Sequence, residues 1–322
     1  MARILVTGAA GFIGSFVSRR LLARGDKVLG IDNLSPYYDV TLKADRLARL
    51  TMQPGFTFHR LDLANREETA AFFVSRQPDA VIHLAAQAGV RFSLTNPGVY
   101  VDANLAGFGN VLEGSRKAEV QHLVFASSSS VYGASATAPF STDDRADQPV
   151  SFYAATKRAN ELMAYAYSHT HGLPTSGLRY FTAYGPWGRP DMAYFGFTKA
   201  ILAGEPITLH GDGEVTRDFT YIDDATEATV RVLDAIPTTA PPYRVLNVGS
   251  GRPIGLHHLV EVIEQHTGKR AIVKSAPLPL ADVPTTHADV TELERVTGFR
   301  PATPIEDGLA KFVEWYRDYY RA

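Results

Sequence analysis

Gly8-Ala-Ala-Gly11-Phe-Ile-Gly14 separates a short apolar run, Ile4–Thr7, from a stretch with helical periodicity, Phe12–Arg24. A strand that enters a helix through glycines is tightly constrained. The glycines permit a sharp turn and let backbone N–H groups close on an anion at the helix N-terminus. The next β-rich segment, Lys27–Ile31, runs into Asp32-Asn33, and Asp32 lies 18 residues beyond Gly14. An acid about 20 residues past such a loop is placed to hydrogen-bond an adenosine ribose. A carboxylate there repels a 2′-phosphate, so the expected cofactor is NAD and not NADP. The expected contacts are Gly8, Gly11, Phe12, Ile13 and Gly14 from the loop, with Asp32, Asn33 and Lys43 beyond the second strand.

The same alternation continues. Thr57–Arg60, Ala80–Leu84, Leu123–Ala126 and Gly177–Tyr180 are β-rich, and Glu67–Ser75, Gly98–Lys117 and Phe152–Thr170 between them have helical patterns. Strands alternating with helices, joined by right-handed crossovers, predict a doubly wound parallel sheet of the Rossmann type. Asp62-Leu63 after the third strand and Leu84-Ala85-Ala86 after the fourth would then border the cofactor. After residue 180 the pattern changes to Gly/Pro-rich loops and helices at Asp223–Ala235, Leu256–Thr267 and Ile305–Tyr320. The expected organisation is a cofactor domain, 1–180 with about 219–250 returning to the sheet, and a smaller C-terminal α/β substrate domain, 181–218 and 251–322.

Charge and composition narrow the functional classes. Lys plus Arg is 32 and Asp plus Glu is 34, a net charge of −2, which disfavours a nucleic-acid or anionic-membrane surface. With no cysteine, thiolate metal sites, Fe–S clusters and cysteine nucleophiles are excluded. No metal site is expected. No apolar run approaches the ~20 residues that span a bilayer, and the N-terminus lacks a signal-peptide core, so a cytoplasmic protein is the default.

Two clusters carry the chemistry. Ser127-Ser128-Ser129-Ser130-Val131-Tyr132-Gly133 follows a strand, which puts hydroxyls at the carboxyl edge of the sheet, where ligands bind. Tyr153 and Lys157 share a helical face at i, i+4. A phenol of reference pKa near ~10 needs help to act as a base at neutral pH, and a neighbouring ammonium supplies it. A serine hydroxyl can share the proton.

Together, Gly8-x-x-Gly11-x-x-Gly14, Ser127–Gly133 and Tyr153-x-x-x-Lys157 resemble the extended short-chain dehydrogenase/reductases that modify sugar nucleotides. The likeness extends through Gly211–Asp223 and Asn247-Val-Gly-Ser250. Within that group it is closest to UDP-glucuronate 4-epimerases, through Asp32-Asn-Leu-Ser-Pro-Tyr-Tyr-Asp-Val-Thr-Leu-Lys43 and Arg179-Tyr-Phe-Thr-Ala-Tyr-Gly-Pro-Trp-Gly-Arg-Pro-Asp-Met192. The resemblance implies C4 epimerisation of a UDP-uronic acid with tightly bound NAD. It implies Tyr153 as base, Lys157 as its partner and nicotinamide-ribose ligand, and Ser128 as hydroxyl partner flanked by Ser127 and Ser129. It also implies Arg217 on the diphosphate, Asp282 on the uridine ribose, and Arg91 and Ser93 at the sugar end. Thr182 and Arg189 are expected to orient the uronate. Galactose-type epimerases carry Asn where this chain has Thr182. The acids of the dehydratases and decarboxylases are replaced by Ser129 and Ser130, which leaves their extra proton transfers without carriers. The alternatives are a UDP-glucose or UDP-N-acetylhexosamine 4-epimerase, a decarboxylase, and a non-catalytic NAD-binding regulator. A homodimer joined through helices like Gly98–Lys117 and Phe152–Thr170 is also implied.

Overall fold

The computed structural model describes residues 1–134, 137–279 and 282–322. Among the described residues, six strands lie in the first 180 positions: β1 (Arg3–Thr7), β2 (Lys27–Asp32), β3 (Phe56–Arg60), β4 (Ala80–His83), β5 (Leu123–Ser128) and β6 (Thr175–Tyr180). Six follow: β7 (Thr182–Tyr184), β8 (Pro206–His210), β9 (Thr216–Tyr221), β10 (Tyr243–Val248), β11 (Pro253–Gly255) and β12 (Ile272–Ala276). The central sheet has seven strands in the order β10-β6-β5-β4-β1-β2-β3, all parallel. This is the expected doubly wound, Rossmann-type sheet. Strand order reverses between β1 and β4, and the carboxyl ends of those two strands flank the crevice in which such sheets bind ligands.

Alternation along β1 explains why the sheet is covered on both faces. Ile4 and Val6 point into one core with Val28, Ile82, Val124 and Leu178. Leu5 points into the other with Leu29, Val81, Phe108 and Phe125. Each fully buried aliphatic side chain contributes about 1.5–3 kcal/mol, so a strand buried on both sides must be apolar throughout.

The later residues form a three-stranded sheet, β11-β9-β7, and a parallel pair, β12-β8, around a third core that includes Tyr184, Phe219, Leu259 and Phe312. The return to the large sheet differs in detail from the expected boundary. β9 stays with β7 and β11, and the chain rejoins the large sheet through helix Ile222–Asp234 and β10. Helix Thr291–Thr297, in the segment expected in the smaller domain, also packs on helix Ile222–Asp234 and β10.

Two helical segments also differ from expectation. Helix Val40–Thr51, capped by the Asp39 carboxylate on Thr41 N–H, was not foreseen. The single helix expected over 98–117 is broken into Pro97–Tyr100, a wide π turn at Val101–Ala106, and Gly107–Lys117. Buried Asn104 in the π turn bonds Gln87 through both N–H and C=O, and its amide donates to Thr156. The π turn thereby ties the loop after β4 to the helix that carries Tyr153.

Candidate active site

The three glycines are required by geometry. Gly8 has φ +71°, and a Cβ there would sit 2.8 Å from the Ala85 nitrogen. A Cβ on Gly14 would lie 2.0 Å from the Gly8 carbonyl oxygen. The loop therefore packs backbone on backbone and leaves helix Phe12–Ala23 open at its N-terminus. Asp32, nearly buried, accepts from Ala10 N–H at 3.1 Å and Leu34 N–H at 2.8 Å. Burial pushes its carboxyl up, and these bonds with the nearby Lys43 charge pull it back. Lys43 donates to the Ser35 carbonyl at 2.7 Å and lies over the Tyr38 ring. Asn33 bonds Asp62 at 3.1 Å. Ala85 N–H donates to Thr7, whose hydroxyl also bonds buried His83. A glycine cradle, an open helix end and a buried carboxylate fit a dinucleotide.

A cavity of about 1120 Å³ extends from this loop to the later strands. Its lining includes the expected Gly8, Gly11, Phe12, Ile13, Gly14, Asp32, Asn33, Lys43, Asp62, Leu63, Leu84, Ala85 and Ala86. It also includes Ser127, Ser128, Ser129, Tyr153, Lys157, Thr182, Arg189, Arg217, Asp282 and Arg91. β5 brings the serines in and β7 brings Thr182. Helix Phe152–His171, capped by Ser151 on Ala154 N–H, brings Tyr153 and Lys157.

Ser128 accepts from both the N–H and the hydroxyl of Ser130, at 3.2 and 2.9 Å. Its one O–H donor is thereby left for another acceptor, and Ser128 lines the same cavity as Tyr153. Burial pushes the phenol up, and the Arg189 guanidinium and Ser128 pull it down. The Asp191 carboxylate opposes Arg189, and with burial the largest influence the phenol stands above its ordinary value. Lys157 is fully enclosed, donates to the Ala126 carbonyl at 2.9 Å, and is lowered by burial to about 8.

Five expected ligands have protein partners. Ser127 donates to the buried Glu161 carboxylate at 2.6 Å, which makes it a tether for the end of β5. Ser93 lies outside the cavity lining and gives its hydroxyl to the Val90 carbonyl at 2.6 Å. Arg91 pairs with Asp282 at 3.3 Å, which sets the residue expected at the sugar end beside the one expected on the uridine ribose. Arg217 donates to the Thr216 and Pro284 carbonyls at the same rim.

The sequence reading missed several groups. Glu161 forms a bidentate pair with Arg179, at 2.9 Å for both bonds, directly behind the serines. Glu161 stands four residues after Lys157, on the same helical face as the Tyr–Lys pair, and that spacing was the available signal. Arg46, 1% exposed, and Tyr37 were also unassigned. Among the described residues there is no group of three or more His, Asp or Glu that could hold a metal ion. No described helix is long and apolar enough to cross a membrane.

Fold and cavity together define a dinucleotide-dependent enzyme of the doubly wound class. The chain belongs to the NAD dependent epimerase/dehydratase family, whose model matches residues 4–249. It is 47% identical to a probable UDP-glucuronate 4-epimerase of Rhizobium meliloti (strain 1021), over 99% of this chain and 98% of that protein. It is 46% identical to UDP-glucuronate 4-epimerase 1 of Arabidopsis thaliana, over 98% of this chain and 77% of that protein. The crystal structure of UDP-glucuronic acid 4-epimerase from Bacillus cereus, in complex with UDP-glucuronic acid and NAD, superimposes with a TM-score of 0.92 at 33% identity. The match covers 99% of this chain and 100% of that one.

Proposed function

We propose that this protein interconverts UDP-glucuronate and UDP-galacturonate by inverting C4, with NAD held through the catalytic cycle. The observation that carries this reading is the meeting of Ser128, Tyr153, Thr182 and Arg189 around one cavity continuous with the glycine cradle. The names of the three relatives agree with it.

NAD accepts hydride from C4 and returns it to the opposite face. Tyr153 takes the C4-hydroxyl proton and later gives it back. Ser128, with its acceptor positions filled by Ser130, donates to the phenolate oxygen and stabilises its charge before the proton is taken and again once it is returned. Lys157, held on the Ala126 carbonyl, positions the nicotinamide ribose. Gly8, Gly11 and Gly14 hold the pyrophosphate, and Asp32 holds the adenosine ribose. Arg217 and Asp282 grip the nucleotide, so that the sugar can turn over while remaining tethered.

The 4-keto sugar is a β-keto acid and can lose CO2 when the C5–C6 bond aligns with the carbonyl π system. Thr182, Arg189 and the serine hydroxyls hold the carboxylate out of that alignment. No carboxylate stands at Ser129 or Ser130 to carry the further proton transfers of the related lyases.

The chain works as a homodimer. Val99, Val101, Phe152, Leu162 and Tyr165 are exposed large apolar residues on the two helical segments expected to pair, which supports a second copy as their cover.

One NMR time course tests the reading. The purified protein is incubated with UDP-glucuronate, UDP-glucose or UDP-N-acetylglucosamine without added NAD. C4 inversion of the uronate without CO2 is the expected result. Inversion of only the neutral sugars, or release of CO2 as the main product, refutes it.

A further inference from the structure

The segment Asp32–Lys43 carried a family likeness without a physical role, and helix Val40–Thr51 extends it to Arg46. The structure shows what this stretch touches. Arg46 is buried and donates to the Trp187 carbonyl through Nε at 3.0 Å and Nη2 at 2.6 Å. Nη2 also reaches the Gly188 carbonyl at 2.9 Å. Nη1 reaches the Tyr38 hydroxyl at 2.7 Å and the Ala10 carbonyl of the glycine loop at 3.3 Å. The loop held this way turns sharply, with Trp187 at φ +64°, and the next residue after Gly188 is Arg189.

The far side of Arg189 is also fixed. Its Nε and Nη2 form a fork on the Asp191 carboxylate at 3.0 and 2.5 Å. Tyr37 donates its hydroxyl to the same carboxylate at 3.1 Å. The Tyr37 ring is itself wedged against Tyr38 and Phe92. A bidentate fork sets the plane of a guanidinium, and here it consumes one edge and leaves the Nη1 edge for another acceptor. Arg189 lines the cavity with Tyr153 and Thr182.

We propose that Tyr37 and Arg46 are positioning residues that hold the 187–191 loop so that Arg189 presents its guanidinium to the carboxylate of the substrate sugar. The proposal rests on the uronate reading and adds the source of the preference for a charged sugar. Tyr37 and Arg46 act through Asp191 and through the Trp187 and Gly188 carbonyls, with no contact to the sugar required. Arg46 also joins the cofactor loop to this sugar-facing loop through one side chain, which no single-loop ligand does.

Calorimetric titration of the NAD-loaded protein with UDP-glucuronate, UDP-glucose and UDP tests it. Tyr37→Phe keeps the ring and removes only the bond to Asp191. Its Kd for UDP-glucuronate is expected to rise about 5–10-fold, with UDP-glucose and UDP changing less than about twofold. Arg46→Lys is expected to show the same pattern more strongly, with reduced NAD occupancy from the lost bond to Ala10. Unchanged UDP-glucuronate binding in Tyr37→Phe, or equal weakening of all three ligands, overturns the positioning role. A wild-type protein that binds UDP-glucuronate no better than UDP-glucose removes the uronate reading itself, and the proposal with it.

Discussion

Replacing Glu161 with Gln isolates the buried charge behind the serine run. Glu161 is fully buried and Arg179 is 2% exposed. Burial alone would raise the Glu161 carboxyl, yet Arg179, Ser127 and Arg158 hold it below the usual range, so it is ionised at neutral pH. Glu161→Gln leaves the Arg179 guanidinium buried without its counter-charge, against the Tyr132 ring at 4.6 Å. The amide also presents N–H groups where an acceptor stood. Stranding one partner of a buried pair costs about 3–5 kcal/mol, and the lower figure applies here because the ring remains. At roughly 2–4 °C per kcal/mol, Tm should fall by about 6–12 °C. Replacing both partners, Glu161→Gln with Arg179→Met, removes the stranded charge and should recover a substantial part of the loss. Thermal melts and urea titrations of the two single variants and the double variant, all saturated with NAD, give the coupling energy. A coupling below about 0.5 kcal/mol means that the pair is not an energetic unit, and the reasoning fails. The loss should reach the site as well. Ser127 would exchange a charged acceptor for a neutral one, which loosens the end of β5 and lowers kcat.

Tyr153→Phe should retain NAD and UDP-sugar binding and lose turnover by orders of magnitude; a near-normal rate in steady-state assays disproves the base assignment. Gly14→Ala should purify with little NAD, seen in the absorbance of the released nucleotide, because its Cβ meets the Gly8 carbonyl at 2.0 Å and no rotamer relieves a backbone clash. His122, bonded to the Leu233 carbonyl and to Ser176, is lowered by burial to about 4, and buried His83 to about 3. The unfolded chain takes up protons near pH 6.5 that the folded chain refuses, so stability falls as pH drops from 6.5 towards 4, by up to about 2 kcal/mol per histidine at pH 5. Urea midpoints between pH 7 and 5 should show this slope, and His122→Gln should flatten it; an unchanged slope rejects the assignment.

The cofactor half was legible because its signals are local. Gly8, Gly11, Gly14 and Asp32 announce themselves by spacing around one strand–turn–helix unit. Tyr153 and Lys157 share one helix face and needed only the preceding strand for context. What stayed hidden depends on long-range meetings. Tyr37 finds Asp191, Arg46 finds Trp187, and Arg91 finds Asp282 only after the later strands fold over the sheet edge. Ser127 and Ser128 are adjacent in sequence, and no pattern says which hydroxyl faces the cavity and which faces a buried glutamate. Short strands such as β7 and β11, three residues each, carry too little periodicity to be read before their partners are known.

The seam between helix Val40–Thr51, the 187–191 loop and the C-terminal helix Ile305–Tyr320 has an optical consequence. The chain contains two tryptophans, and their rings lie 5.3 Å apart in this seam. Arg49 lies over Trp187 at 4.4 Å, and Tyr319 stacks on Trp315 while bonding Asp45. All indole emission therefore comes from one junction where the cofactor loop and the sugar-facing loop are joined. Movement of the C-terminal helix away from that junction would change quenching and exciton coupling together. Loosening of the distant β3 edge would leave both signals unchanged. The chain carries its own reporter of whether its two halves are closed on each other.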